Sequence, residues 1–407
     1  MSTRSLMPRV LPLLGVLATG CATGGKPPPG ADPTTQQAQQ GVQTTAAAQE
    51  RIPALERRPS GLEVVARFEK TPPGNPAVTP EGRLFVSQHP FGGPQLAVVE
   101  VLPDGTTRPY PSEQWARAPG PDGVGLQTVI GVESDKNGVL WILDNGKGGG
   151  QGAKLVAWDT RGEKLVRSYP LPPPAAAANS FLQDLVVDPD RGVAVLSDMG
   201  RGDLVGENMP ALVLVDLKTG EGRRVLQGHP SLQPEEVTMM VENRRITVAD
   251  KQGKQVEPRL GLNPITLDPK NEWLYFGSMH GRTVWRVKLE DVVDPKLSAE
   301  ELGKRVNRYG DKAVSDGFCV DSAGNVYVTD LGANAIGVTK PDGSYGVHVK
   351  DDLLNWPDGM SYGPDGYFYV TVNQLHRHAA LNQGNTTVQP PFLLVRFKPL
   401  APSAVGR

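Results

Sequence analysis

Cysteine occurs only twice in 407 residues, at Cys21 and Cys319, so no disulfide framework holds this chain. Charge of one sign is also lacking. Lys and Arg number 42 against 44 Asp and Glu, a formal net charge of −2, and no basic stripe marks a nucleic-acid surface. Long apolar runs are absent too: "VLPLLGVLATG" (10–20) is too short to cross a bilayer. "NGKGGGQG" (145–152) lacks the GK[ST] that a phosphate loop needs and reads as a flexible connection. There is no G-x-S-x-G elbow, which argues against an α/β-hydrolase route to an esterase. What the chain has in excess is glycine (47) and proline (38), and therefore turns.

Arg4 and Arg9 precede the short apolar run, the pattern of an export signal over 1–20. The run ends in "LATGC", which resembles a bacterial lipobox with its Leu one position early, so Cys21 is expected to carry the lipid. Export to a bacterial envelope follows, with a membrane attachment made through the lipid alone, or secretion if the cysteine is not modified. Residues 21–60 are rich in Pro, Gln, Ala and Thr, cannot bury enough surface to fold, and read as a tether.

From residue 61 to about 400 the chain aligns with itself. The repeats are "AVTPEGRLFVS" (77–87), "ESDKNGVLWILD" (133–144), "DLVVDPDRGVAVLSD" (184–198), "NPITLDPKNEWLYFGS" (263–278), "DGFCVDSAGNVYVTD" (316–330) and "DGMSYGPDGYFYVTV" (358–372). Each joins an apolar strand to a β-branched and aromatic strand through a turn of Asp, Pro, Gly or Asn. Six such units predict an all-β fold, a six-bladed β-propeller. Pairing of "LEVVARF" (62–68) with "PFLLVRFK" (391–398) is expected to close the ring and protect its sheet edges. The wide spacing between 198 and 263 requires a looped-out insertion. "SAEELGKRV" (298–306) is the best helix candidate.

Four repeats open on a polar residue: Asp184, Asn263, Asp316 and Asp358. Three of these, Asp184, Asp316 and Asp358, lie fourteen residues before the repeat's end. At the start of innermost strands they can converge on the central channel, where oxygen ligands suit a hard cation such as Ca²⁺. Asp and Asn before Gly or Pro also shape tight turns through backbone amides, so chemistry and turn formation both remain open. Cys319, on the same strand as Asp316, is expected to be buried packing. His376 and His378 would share a face if extended, a possible transition-metal pair, but no third ligand is evident and a solvated loop is the expectation; His280, after the fourth repeat, can reach the ligand face or sit in a loop. Trp356 is a candidate aromatic wall or a core residue.

"TVIGVESDKNGVLWILDNG", "LGLNPITLDPKNEWLYFGSM", "VSDGFCVDSAGNVYVTDLGANAIGV" and "LNWPDGMSYGPDGYFYVTVNQLH", in that order, resemble the major royal jelly protein/yellow family. The resemblance implies a six-bladed propeller, an extracellular setting, and small-molecule binding in the channel, aromatic amines among the ligands. A more distant similarity joins the chain to gluconolactonase/senescence-marker propellers. It implies a divalent cation, Ca²⁺ or another, held by Asn75, Asp184, Asn263 and Asp316, lactone hydrolysis, and Asp316 as general base. Asn75 and Asp184 depart from the Glu and Asn of that pattern. A non-enzymatic envelope scaffold is a third reading.

Overall fold

The computed structural model describes residues 55–148 and 150–406, so the expected export signal, Cys21 and most of the tether lie outside the described residues. Six antiparallel sheets form the blades. Their innermost strands are Pro73–Val78, Val129–Ser134, Leu182–Asp188, Leu262–Leu267, Phe318–Val320 and Pro357–Tyr362. Each inner strand packs beside the next, and the sixth returns to the first, which closes a ring around a central channel. Blades stack face to face, so inner strands are buried on both sides, while the outer strand Lys164–Pro170 is mostly exposed.

Turn chemistry sets each inner hairpin. Asp135 Oδ1 accepts the N–H groups of Asn137 and Val139, and Gly138 takes φ +77° to complete the turn. Asp321 does the same for Ala323 and Asn325 with Gly324 at φ +83°. One oxygen of each is spent on its own turn; the other is met by a more distant donor, Trp141 Nε1 for Asp135 and the Tyr327 hydroxyl for Asp321.

The ring closes as expected: Glu63–Phe68 pairs with Phe392–Phe397 in the sixth blade. The folded body begins before the expected boundary at 61, since Glu56–Arg57 pairs with Glu63–Val64. It also runs past 400. The amide of Leu400 donates to Tyr327, that of Ala401 to Asp321, and the Ser403 hydroxyl to the Val320 carbonyl. Helix is confined among the described residues to Leu289–Val293, Ala299–Gly303 and short 3₁₀ turns. The second begins at Ser298 with a Ser298–Glu301 capping box, as "SAEEL" suggests.

The insertion between the third and fourth blades carries two small hairpins, Met240–Arg245 and Val248–Val256. Together with residues 373–391 it covers the channel face at which inner strands start. Arg244 donates to Asn382 and to the His376 carbonyl, and Glu242 pairs with His376 and Arg377. Beneath lies an apolar cluster that includes Met199, Leu260, Met279, Trp356, Leu375 and Leu381.

Candidate functional site

Five of the six blades have a β-bulge at the start of the inner strand. In the third, Leu182 pairs with Asp198 and Leu185 with Leu196, leaving Gln183 and Asp184 opposite Ser197. The same two-against-one register places Gly74–Asn75, Ile130–Gly131, Asn263–Pro264 and Asp358–Gly359 in bulges. In the fifth blade Asp316 and Gly317 both donate their amides to Thr329 Oγ1. Bulges break the ladder and re-aim side chains. Here Ser and Thr hydroxyls repair it: Ser87 accepts from Asn75 N–H, and Ser197 from Asp184 N–H. A Ser or Thr twelve or thirteen residues after Asn75, Asp184, Asp316 and Asp358 was the sequence signal for this feature. The bulges also crowd one another. A Cβ on Gly317 would lie 2.2 Å from the Asp358 carbonyl oxygen, which is why that position is glycine.

The bulges bring the sequence-predicted polar residues to the channel. Asp316 Oδ2 accepts from Trp356 Nε1 at 2.7 Å, and Oδ1 accepts from Asn263 Nδ2. Neither donor belongs to its own turn, whereas Asp135 and Asp321 each accept two amides of their own turns. Asp316 is therefore a channel residue, not a turn former. Asp184 Oδ1 accepts from Asn75 Nδ2 at 3.2 Å and from Leu185 N–H, and Oδ2 from Ile265 N–H. Asp358 Oδ2 accepts from Asn373 Nδ2 at 2.6 Å.

Two small cavities flank the bulge ring. The one toward the covered face has about 30 Å³ open to the centre of a water-sized sphere, room for about two waters. Asp316, Asp358, Gln183, His89 and Trp356 line it with apolar side chains such as Phe181 and Leu260. The other, about 10 Å³, is lined by Asn75, Glu133, Asp184, Thr266 and Cys319. Asn75 and Asp184 thus line one cavity and Asp316 the other. Trp356 is fully buried and holds a left-handed φ of +71° immediately before Pro357, a costly conformation that aims its indole at Asp316.

Burial dominates the electrostatics. Desolvation pushes Asp184 up to about 7, helped by the Asp316 charge, and Asp316 up to about 6 against the hydrogen bonds from Trp356 and Asn263. Asp358 is raised well above the ordinary carboxylate range by desolvation and then by Asp316 and Asp184. Among the described residues no Lys or Arg forms an ion pair with any of the three. Asp316, at about 6, is mostly ionised at neutral pH.

Asn75, Asp184, Asn263 and Asp316 supply two carboxylates and two amides, the donor chemistry a hard divalent cation takes. Among the described residues, however, no group of three or more His, Cys, Asp or Glu side chains gathers closely enough to hold a metal ion. The carboxylate oxygens of Asp184 and Asp316 are instead met by N–H donors.

The other candidates are placed differently. His376 and His378 do not form a pair on a solvated loop. Both are buried: His376 stacks on Trp356 and bonds Glu242, while His378 stacks on Phe392. His280 is fully buried, and its Nδ1 accepts from Leu260 N–H. Cys319 is buried, with its sulfur toward the Met360 carbonyl and its thiol raised well above the usual range by desolvation. His89, Gln183 and Asn373 went unnoticed in the sequence. His89 follows its blade's second strand much as His280 follows its own, and that shared position was the available signal.

The family described as Major royal jelly protein matches residues 127–394 of the chain. No curated protein matches it in sequence. Among solved structures, a gluconolactonase of Xanthomonas campestris is 14% identical with a TM-score of 0.53, covering 83% of this chain and 89% of that one. A luciferin-regenerating enzyme is 11% identical with a TM-score of 0.52, covering 86% and 97%. A putative gluconolactonase is 14% identical with a TM-score of 0.50, covering 86% and 100%. At such identities the likeness speaks for the six-bladed fold alone.

Proposed function

The chain belongs to the major royal jelly protein family, and we propose that it is an exported, lipid-anchored propeller that captures a small organic cation, a primary amine, at its central channel. One observation carries this reading: Asp316 is buried, forms no ion pair with a basic side chain among the described residues, and lines a cavity with otherwise largely apolar walls. An ammonium group supplies the missing charge, and the walls accommodate its carbon body. At about 30 Å³, room for about two waters, the cavity is smaller than n-propylamine, so its walls must give for any such amine to enter. An aromatic amine needs the cover formed by 226–261 and 373–391 to part.

Calorimetric titration of the soluble domain with n-propylamine and, separately, with CaCl₂ tests the reading. Saturable heat with the amine is expected. Heat with neither probe would overturn it.

The convergence of Asn75, Asp184, Asn263 and Asp316 at one bulge ring favours a second reading, divalent-cation-dependent lactone hydrolysis. A cation there would polarise the lactone carbonyl. Asn75 and Asn263 would turn their amide oxygens inward, and Asp316 would take the proton of the attacking water. Saturable binding of CaCl₂ with turnover of a γ-lactone, both lost with chelator, would move the assignment to this chemistry.

Anchoring rests on the basic residues, apolar run and "LATGC" at the N-terminus. Cys21→Ser should shift the protein from the membrane to the soluble envelope fraction and remove the acyl mass from its N-terminal peptide. An unchanged fractionation would count against the lipid.

A further inference from the structure

The cover over the channel closes through a side chain placed against its own preference. The hairpin Met240–Arg245 turns through Glu242 and Asn243, both with positive φ, 49° and 61°. Such a turn favours Asn and Gly, and a glutamate is strained in it. Strain of this kind directs attention to what the side chain does. The Glu242 carboxylate reaches the other cover segment, where it accepts from His376 Nε2 at 3.0 Å and from Arg377 Nη2 at 2.7 Å. Two residues on, Arg244 donates to Asn382 and to the His376 carbonyl.

The closed cover works against other penalties. Within its two segments Leu226, Glu242, Asn243, Arg259, Gln374 and Gln383 hold positive φ, against five other non-glycine residues among those described. Buried polar atoms are also left unmet. His376 is 1% exposed and gives its Nε2–H to Glu242, so its Nδ1 is an acceptor, and that atom has no partner. His378 Nε2, buried in the same segment, has none either. Water reaching these atoms on opening would remove both penalties, which brings the open form close in free energy. Beneath the latch the His376 ring lies 9° from parallel to Trp356, centroids 5.8 Å apart, and Trp356 Nε1–H donates to Asp316. Parting of the cover there uncovers the indole and its carboxylate.

We propose that the cover is a gate over the channel that opens and closes in the free protein, with Glu242 as its latch. The gate concerns the protein without ligand, so it stands or falls independently of the amine reading.

Exchange of tryptophan indole protons in heavy water, followed by NMR on the isotope-labelled protein, tests this. Trp356→Phe and Trp141→Phe identify the two signals needed. Trp141 is the control, since its indole Nε1–H is buried in the second blade and donates to Asp135 Oδ2 at 3.0 Å. Glu242→Asn suits the turn but is too short to reach His376 and Arg377. It should speed exchange at Trp356 by about tenfold and leave Trp141 unchanged. Glu242→Gln keeps an acceptor for His376 and loses the charge facing Arg377, so its rate should fall between the two. Equal Trp356 rates in wild type and Glu242→Asn would overturn the latch. A matching rise at Trp141 would overturn it too, because Glu242 would then support the fold at large and hold no gate.

Discussion

Asp316→Asn should raise the melting temperature at pH 8 and abolish ligand binding in the same protein. The two effects share a cause. Burial moves Asp316 from 3.8 to about 6, so holding it ionised costs on the order of 3 kcal/mol in the free protein. Asparagine removes that charge and keeps the shape. Its Oδ1 can accept the Trp356 Nε1–H, and a half-turn of the Asn263 amide presents an oxygen to its Nδ2, so no buried polar atom is orphaned. Stabilisation by a few degrees is the expected scale. Binding of n-propylamine should weaken at least a hundredfold, because the ammonium loses its only counter-charge. At pH 5 about half of the stability gain should remain, and it should vanish below about pH 4, where Asp316 is protonated in the unfolded chain as well. A scaffold role for Asp316 makes the opposite forecast: the substitution would lower the melting temperature and leave binding untouched. Thermal scans at pH 5 and pH 8, with calorimetry at pH 8, decide between them. The pattern expected is the stability–function conflict of a binding site that holds a desolvated charge ready.

The second large effect is on pH. Ligand affinity should climb from pH 5 to pH 8, by up to tenfold per unit below the titration point, because the cation binds the ionised carboxylate. Asp316 titrates at about 6, and Asp184, whose charge opposes that of Asp316 across the bulge ring, at about 7. Proton release on binding below pH 6 should make the measured heat depend on the buffer's ionisation enthalpy. A flat affinity from pH 5 to pH 8 would remove these carboxyl groups from the site. The stability of the free protein is a poorer reporter. Both acids have folded values above their unfolded ones, so the folded state binds more protons between about pH 4 and pH 7, and stability falls as pH rises through that window. Burial gives His89, His280 and His376 the opposite sense. Their folded values, about 3, 3 and 4, lie below 6.5, so they lose stability as pH falls from about 6.5. The two trends oppose each other in the wild type. The difference between Asp184→Asn and wild type cancels the histidines and should show the acid trend alone.

Much of the fold could be read in the sequence because its causes are local. An Asp with a Gly or Asn at fixed offsets closes most of the inner hairpins, alternating β-branched residues fill strands buried on both faces, and six such units leave few architectures besides a ring. The closing strand at 63–68 was legible for the same reason: it repeats the pattern at the chain's other end. Ser298 with Glu301 announced the short helix. The site was legible only in its register. Asp184, Asp316 and Asp358 recur at one position, yet nothing local separates them from Asp135 or Asp321, which serve their own turns.

Tertiary structure made that separation. Whether a carboxylate meets a backbone amide two residues away or an indole from the next blade depends on the bulge, and the bulge depends on a hydroxyl across the sheet. The strength of burial was also beyond the sequence. It comes from two distant segments, 226–261 and 373–391, meeting over the channel, and that desolvation raises the acids and keeps His89 neutral. The residues and their turns were thus set by the sequence alone; which acid carries a usable charge was decided by the surfaces that closed around it, because in a cavity the loss of water outweighs the side chain's intrinsic preference.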